Sequence, residues 1–366
     1  MNICFLAPAS VIHTVRWVNA LVDRGHEISL ITMHPPKLDT MHPNVKIYNL
    51  RIPAPIGYYL NYIQTRKIIN RIKPDIVNAH YASGYGTLAR LVNFHPTLLS
   101  VWGSDVYDFP YESKIKMKII KKNLESATQI ASTSFAMKKQ VERLITPRLP
   151  IEVTPFGIDT NMFFPNRDKK EKDIITIGIV KKLEEKYGVR HLIEAVSLLI
   201  GMLKENNQEE IASKIRLLIV GEGSQLEELK LLTKRLNISE ITTFVGAVPH
   251  DQVPSYLNKL DIYCAPSTLD SESFGVAIIE ASACELPVVV SDVGGFPEVV
   301  KDGETGYIVE RKNSKAIAKR LYELVQSPQK RGVLGKNGRN FVESLYNWDD
   351  NVRKMESVYQ KLIDSK

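Results

Sequence analysis

Metal-ligand spacing is missing from this sequence, whose three cysteines (Cys4, Cys264 and Cys284) are scattered and, being odd in number, cannot pair completely. A disulfide framework and a zinc ribbon are excluded, and buried thiols of a reduced, cytosolic protein are expected. Also absent are a Gly-x-Gly-x-x-Gly loop and a Walker A loop; Gly221-Glu222-Gly223 is the nearest approach and is too short to be either. An ordinary dinucleotide dehydrogenase or P-loop enzyme is therefore not expected. No stretch reaches the roughly 18 apolar residues that a spanning helix needs. At the start, Ile3–Ala7 is apolar without a cationic leader, which predicts a first buried strand rather than a signal peptide.

What is present fits a sizeable globular protein. The chain has 366 residues, 44% of them apolar, and single cores stop growing near roughly 250–300 residues. Two domains are expected. Charge is uneven: residues 1–167 hold 20 Lys and Arg against 11 Asp and Glu, and residues 168–366 hold 28 against 30. The cationic first half favours an anionic partner.

Short apolar runs alternate with helical patterns in both halves. Ile3–Ala7, Ile28–Thr32, Asp75–Ala79 and Thr97–Trp102 read as strands in the first half, and 13–23 as a helix stopped by Gly25. Ile174–Ile179, Ile215–Val220, Ile241–Val245, Ile262–Cys264 and Pro287–Val290 repeat the strand signal in the second. Such alternation implies parallel sheets built from βαβ units. The breaker-rich stretch from Pro155 to Arg167, followed by the charged run Asp168–Asp173, places the boundary at 166/167. Parallel sheets bind ligands at their strand C-terminal ends, so a site in a cleft between the halves is expected.

The segment from Pro266 to Val300 carries the chemistry. Glu272 and Glu280 flank a helix beginning near Gly275, whose free N–H groups suit a diphosphate. Five residues of helix put Glu280 about 7–8 Å further along the axis. Two carboxylates on either side of a phosphate nest match the hydroxyl-bearing ends of a nucleotide sugar. The plainer alternative is a helix cap and a solvated glutamate.

These residues resemble the family-4 glycosyltransferases, retaining enzymes with the two-domain GT-B fold. The resemblance rests on Pro155-Phe156-Gly157-Ile158-Asp159, Gly221-Glu222-Gly223, Phe244-Val245-Gly246, Glu272-Ser273-Phe274-Gly275, Glu280-Ala281, Pro287-Val288-Val289, Gly294-Gly295 with Pro297-Glu298, and Thr305-Gly306. It implies an α/β fold of two Rossmann-like domains: an acceptor domain 1–166, joined by a C-terminal helix 347–366, and a donor domain 167–346. By the same resemblance Glu272 meets sugar hydroxyls, Glu280 the ribose, and the backbone of Phe274, Gly275 and Val276, beside Ser273, the diphosphate. Gly246 and Val248 would lie against the base, and Gly221 beside the donor.

A basic pair on the phosphates is implied at Lys181 and Lys186, with Lys182 the rival for the first. The family often has arginine directly after the glycine here, and this chain does not. In the first half, Trp102 stands where histidine is frequent, and Pro8-Ala9-Ser10 where Gly-Gly is frequent. Asp105 either orients a sugar or acceptor or is structural, His80 either faces the site or is structural, and His13, with Arg16, is placed near donor or acceptor phosphate.

The expected activity is retaining, metal-independent transfer of a hexose or N-acetylhexosamine. The donor would be a UDP- or GDP-linked sugar and the acceptor a glycan or lipid-linked molecule of polysaccharide biosynthesis. No cofactor and no nucleic-acid partner are expected. The alternative is a non-catalytic nucleotide-sugar-binding subunit. Lys114, Lys118 and Lys121 recur at helical spacing opposite Ile115, Met117, Ile119, Ile120 and Leu124. That pattern predicts a basic amphipathic helix on an anionic membrane surface, and so a cytoplasmic protein peripheral to the inner face of the membrane.

Overall fold

The protein is described as a computed structural model covering residues 1–36, 40–166, 168, 170–171 and 173–365. It comprises two compact units, Met1–Phe156 with Asp349–Lys366, and Gly157–Trp348. Each is a wholly parallel sheet flanked by helices.

In the first unit the strands are β1 (Asn2–Leu6), β2 (Glu27–Thr32), β3 (Lys46–Asn49), β4 (Ile76–His80), β5 (Thr97–Val101), β6 (Gln129–Ser132) and β7 (Glu152–Val153). Among the described residues their order is β3-β2-β1-β4-β5-β6-β7. Ile3 to Leu6 of β1 are fully buried because β1 is hydrogen-bonded to β2 and β4 and covered on both faces. A near-continuous apolar run is what such a strand requires.

The second unit holds β8 (Ile175–Val180), β9 (Ile215–Val220), β10 (Thr242–Gly246), β11 (Ile262–Ala265), β12 (Val288–Ser291) and β13 (Gly306–Val309). Their order is β10-β9-β8-β11-β12-β13. In both sheets the order reverses beside the first strand, between β1 and β4 and between β8 and β11. The crevice outside the strand ends at such a reversal is where open α/β sheets take ligands.

The division between units falls at Phe156/Gly157, earlier than 166/167. Residues 158–166 are tied into the second unit: Ile158 N donates to the Tyr346 carbonyl at 2.6 Å, and Asn166 N to Asn258 Oδ1 at 2.6 Å. Arg167, Lys169 and Lys172 of the linker and charged run lie outside the described residues. The last helix, Trp348–Asp364, buries Val352, Met355, Val358 and Leu362. Its Glu356 meets Arg24 Nε at 2.8 Å and His26 Nε2 at 2.7 Å, which fastens it to the first unit.

The basic helix Lys114–Ser126 uses its apolar side differently from the membrane expectation. Ile120 and Leu124 are buried in the first unit's core and Met117 packs against it, leaving Ile115 exposed. Core packing explains the amphipathic pattern, and the three lysines stand on an ordinary solvent face. Among the described residues no helix is long and apolar enough to cross a membrane.

Candidate functional site

The second unit's reversal point brings together two segments far apart in sequence. Lys181 follows β8, Glu272 lies in the loop after β11, and Lys181 Nζ donates to Glu272 Oε1 at 2.7 Å. Burial works against the Lys181 charge, but Glu272, Tyr187 and Glu280 outweigh it and hold the ammonium above its ordinary value. Tyr187 presents its ring to two cations, Lys181 Nζ at 4.6 Å and Lys186 Nζ at 4.9 Å from the centroid. Lys182, the rival, is exposed.

Backbone contacts fix the geometry of this cluster. The Lys186 carbonyl accepts from Thr268 N at 2.8 Å, joining the turn after β8 to the loop after β11. Gly188, at φ +64°, lies so close to the Pro266 carbonyl that a Cβ would overlap it. Gly221 and Gly223 are pressed in the same way against the carbonyls of Lys181 and Leu183, and Leu183 N donates to the Glu222 carbonyl at 2.8 Å. Gly221 thus supports the Lys181 turn, and its N–H donates to the Gly246 carbonyl at 2.8 Å. Val248 follows, half-buried, two residues after Gly246.

The loop carrying Glu272 is clasped from the other side. Gly294 and Gly295 lie under the carbonyls of Asp270, Glu272 and Ser273, where side chains would collide. Asp270 Oδ1 accepts from Gly294 N at 3.0 Å and from the Arg311 guanidinium at 3.0 Å, while Arg311 Nε bonds Asp292 at 3.0 Å. Ser273 and Phe274 are buried, Phe274 edge-on against Tyr346 at 5.4 Å. Gly275, at φ +98°, then opens the helix Val276–Ala283. A left-handed residue there is natural for glycine, and the first-turn N–H groups point away from the helix body.

Glu280 lies on that helix, buried, and its Oε1 meets His250 Nε2 at 2.9 Å. The His250 ring rests on Phe163 at 5.6 Å. His250, Tyr187 and Arg311 were not singled out from the sequence. A lone histidine in a polar turn and a tyrosine among lysines give no periodic signal, and Arg311 sits 41 residues beyond Asp270. The loop's own Gly-Gly pair was the readable trace of the clasp.

A separate group stands at the first unit's reversal point, after β1, β4 and β5. Trp102 is its hub, with ring centroids of His80 at 4.3 Å, Tyr81 at 4.9 Å, Phe156 at 5.2 Å and His13 at 6.0 Å. His13 stacks on Phe156 at 4.1 Å. His80 is fully buried, and burial, helped by His13, pushes its pKa down to about 3. Asp105 is also buried. Its carboxylate accepts from Ala82 N at 2.7 Å, Gly103 N at 2.8 Å and Trp102 N at 3.1 Å. Those bonds tie the turn after β4 to the turn after β5, so Asp105 holds Trp102 in place. Burial raises its pKa against the pull of the N–H donors. Among the described residues, no group of three or more His, Cys, Asp or Glu could hold a metal ion.

Two parallel-sheet Rossmann-like units with these sites define the GT-B class of glycosyltransferases. The chain belongs to the glycosyl transferases group 1 family, matched over residues 158–341, and residues 2–134 match a glycosyl transferase 4-like family. A similar protein is the N-acetyl-alpha-D-glucosaminyl L-malate synthase of Bacillus anthracis, 25% identical over 94% of this chain and 91% of that one. Among solved structures, a sucrose-phosphate synthase from Thermosynechococcus elongatus aligns over the whole of both chains, with TM-score 0.85 and 20% identity. Anabaena HepE, in complex with UDP and glucose, aligns over 99% of this chain and all of that one, with TM-score 0.82 and 16% identity.

Proposed function

We propose that this glycosyltransferase moves a hexose or N-acetylhexosamine from a UDP- or GDP-linked donor to a glycan or lipid-linked acceptor, in the cytoplasm, with retention and without a metal. The observation that carries the reading is the Lys181–Glu272 contact at the second unit's reversal point, with Glu280 on the helix that starts beside it. Cations and sugar-binding carboxylates must converge there if a sugar diphosphate is bound. The relative's name specifies N-acetylglucosaminyl transfer, and HepE holds UDP and glucose, which supports the donor class.

In this reading Glu272 accepts hydrogen bonds from hydroxyls of the transferred sugar, and Glu280 from the ribose. Backbone N–H groups of Phe274, Gly275 and Val276 hold the diphosphate. The bond from the anomeric carbon to the diphosphate oxygen breaks as the acceptor hydroxyl attacks that carbon from the same face. The acceptor's proton passes to the departing phosphate oxygen. Lys181 and Lys186 stabilise the charge that develops there, the role for which preorganised cations are most effective. The Trp102 group offers an aromatic surface for a sugar ring, and Asp105 positions it.

A thermal-shift series with nucleotide sugars tests the site, because a ligand at 100 times its Kd stabilises the fold by about 2.7 kcal/mol. One donor should raise the Tm of the wild type and leave Glu280→Ala unmoved. Product anomers read by NMR, and activity in excess chelator, test retention and metal independence. No shift with any nucleotide sugar in folded protein would sink the reading.

A further inference from the structure

The second unit holds a cavity at the end of its sheet away from Lys181 and Glu272. Its lining residues stand before strands rather than after them: Lys170 ahead of β8, Asp261 immediately before β11 and Pro287 immediately before β12. The volume is about 250 Å³, several times the roughly 30 Å³ that one water takes in the liquid. It is room for a small molecule.

Arg331 shows what kind. It lies half-buried near the start of the helix Pro328–Tyr346. Its Nη1 donates to the carbonyls of Leu324 and Val325 at 2.7 and 3.1 Å, in the last turn of the helix Ser314–Gln326. Its Nε and Nη2 have no partner among the described residues, and no carboxylate there pairs with the guanidinium. Asp261, on the same wall, is already engaged by Lys170 Nζ at 3.1 Å and Thr176 N at 2.9 Å. Burial therefore pulls the Arg331 pKa below its ordinary value, opposed by the charge of Asp261. Two adjacent unused N–H groups on a half-buried guanidinium form a fork shaped for an oxyanion. The positive end of a helix lies on the same wall.

The acids indicate what the oxyanion is attached to. Asp261 and Glu285 also line the cavity, and carboxylates repel a bare anion but accept strong hydrogen bonds from hydroxyls. Cations for a phosphate beside acids for hydroxyls fit a phosphate monoester of a small polyol.

The same helix leads from the cavity to the loop of Glu272. It runs 19 residues to Tyr346, whose ring meets Phe274 edge-on at 5.4 Å. On the way Gly335 is pressed under the Glu285 carbonyl, and Arg339 donates to the Ala283 carbonyl. Both contacts fall at the C-terminal end of the helix that bears Glu280. Packed elements of this kind can carry coupling between two sites. We propose that this cavity is a regulatory site for a phosphate monoester of a small polyol, held by Arg331 and Lys170 and coupled to the helix Val276–Ala283 through the helix Pro328–Tyr346. The inference stands independently of the donor reading.

The test is calorimetric titration of the full-length Lys181→Ala chain with glycerol 3-phosphate and with glucose 6-phosphate. That substitution weakens any hold on the probes beside Glu272. At least one ester should bind saturably at a single site, and glycerol should not bind. Arg331→Lys, made in the same chain, keeps the charge and loses the fork. It should weaken binding about tenfold or more, the effect of losing one hydrogen bond between charged partners. Gly332 lines the cavity, and an added Cβ there would meet nothing within 4 Å. Gly332→Trp should therefore fill the space and abolish binding, with a Tm no lower than its parent's. Saturation should slow amide exchange several-fold over residues 276–285, and Gly332→Trp should remove that effect.

The proposal is overturned if neither ester binds, or if Gly332→Trp binds as tightly as its parent. Binding without slower exchange over 276–285 would overturn the coupling. Inorganic phosphate bound as tightly as either ester would overturn the role given to Asp261 and Glu285.

Discussion

Lys181 Nζ and Glu272 Oε1 sit 2.7 Å apart although 91 residues separate them in the chain. Each neutralises the other at a largely buried place. On the proposed donor reading, a sugar diphosphate would change both partners at once, giving the ammonium a phosphate and the carboxylate a hydroxyl. The pair thus keeps both groups aimed at the reversal point without leaving an uncompensated charge there.

Replacing Lys181 should separate it from its neighbour. Lys181→Ala is expected to lower kcat by about 10²–10³, the typical loss when one preorganised charge-stabilising group is removed. Lys182→Ala should stay within about twofold, since its side chain is exposed. Steady-state rates of the two variants at saturating donor check this. Equal losses would mean that the cation had been misassigned.

His250→Ala should weaken donor binding. Its Nε2 engages one oxygen of Glu280 at 2.9 Å, and on the proposed reading the other oxygen would accept from the ribose. Removing a charged-group hydrogen bond of this kind costs about 1.5–3 kcal/mol where it is fully enclosed, and less at a half-exposed histidine. A several-fold rise in Kd for the nucleoside diphosphate, measured calorimetrically, is the expected outcome. His250→Gln should recover part of it.

Stability should fall on acidification because of His80. Burial keeps this imidazole neutral, with its folded pKa down to about 3, whereas an unfolded histidine titrates near 6.5. Between those values the unfolded chain binds the extra proton, so stability is complete above about 6.5 and is lost as pH drops towards 3. The loss is on the order of a few kcal/mol, since each tenfold difference in proton affinity between the folded and unfolded chain is worth about 1.36 kcal/mol. Denaturant melts from pH 7 to pH 4 should show a shallower decline in His80→Asn than in the wild type.

Gly295→Ala should damage the site from outside it. An added Cβ would overlap the Ser273 carbonyl, forcing the Glu272 loop outward. A stability loss of about 1–3 kcal/mol is expected, as for other overpacked positions, together with weaker donor binding than in Gly303→Ala. Gly303 has a positive φ and open space around it, whereas Gly295, at φ −88°, meets collision without that strain, so the two variants separate collision from backbone strain.

Legibility in the sequence followed burial. Strands β1, β2, β4, β5, β8, β9, β11 and β12 are enclosed enough to be written as apolar runs, and all were readable. Three strands that escaped, β3, β7 and β13, lie at sheet edges, where one side needs no apolar complement, although the fourth edge strand, β10, was legible as Ile241–Val245. Lys46 and Asn49 in β3 and Glu152 in β7 show the consequence. β6 escaped because it is short and begins with Gln129. At the site, motif spacing exposed Glu272, Glu280 and the Gly294-Gly295 pair. The partners His250, Tyr187 and Arg311 act through tertiary contacts that leave no local pattern.

The assignment of Asp349–Lys366 to the first unit has a consequence for synthesis. A ribosome completes the contiguous second unit, Gly157–Trp348, before it has supplied the last piece of the first. The half that is begun earliest is therefore finished latest, with Arg24 and His26 waiting for Glu356 until that final helix emerges. Domains of most chains mature in the order in which they are made. Here the order is inverted, and a premature stop ahead of Asp349 would release an intact second unit attached to an unfinished first.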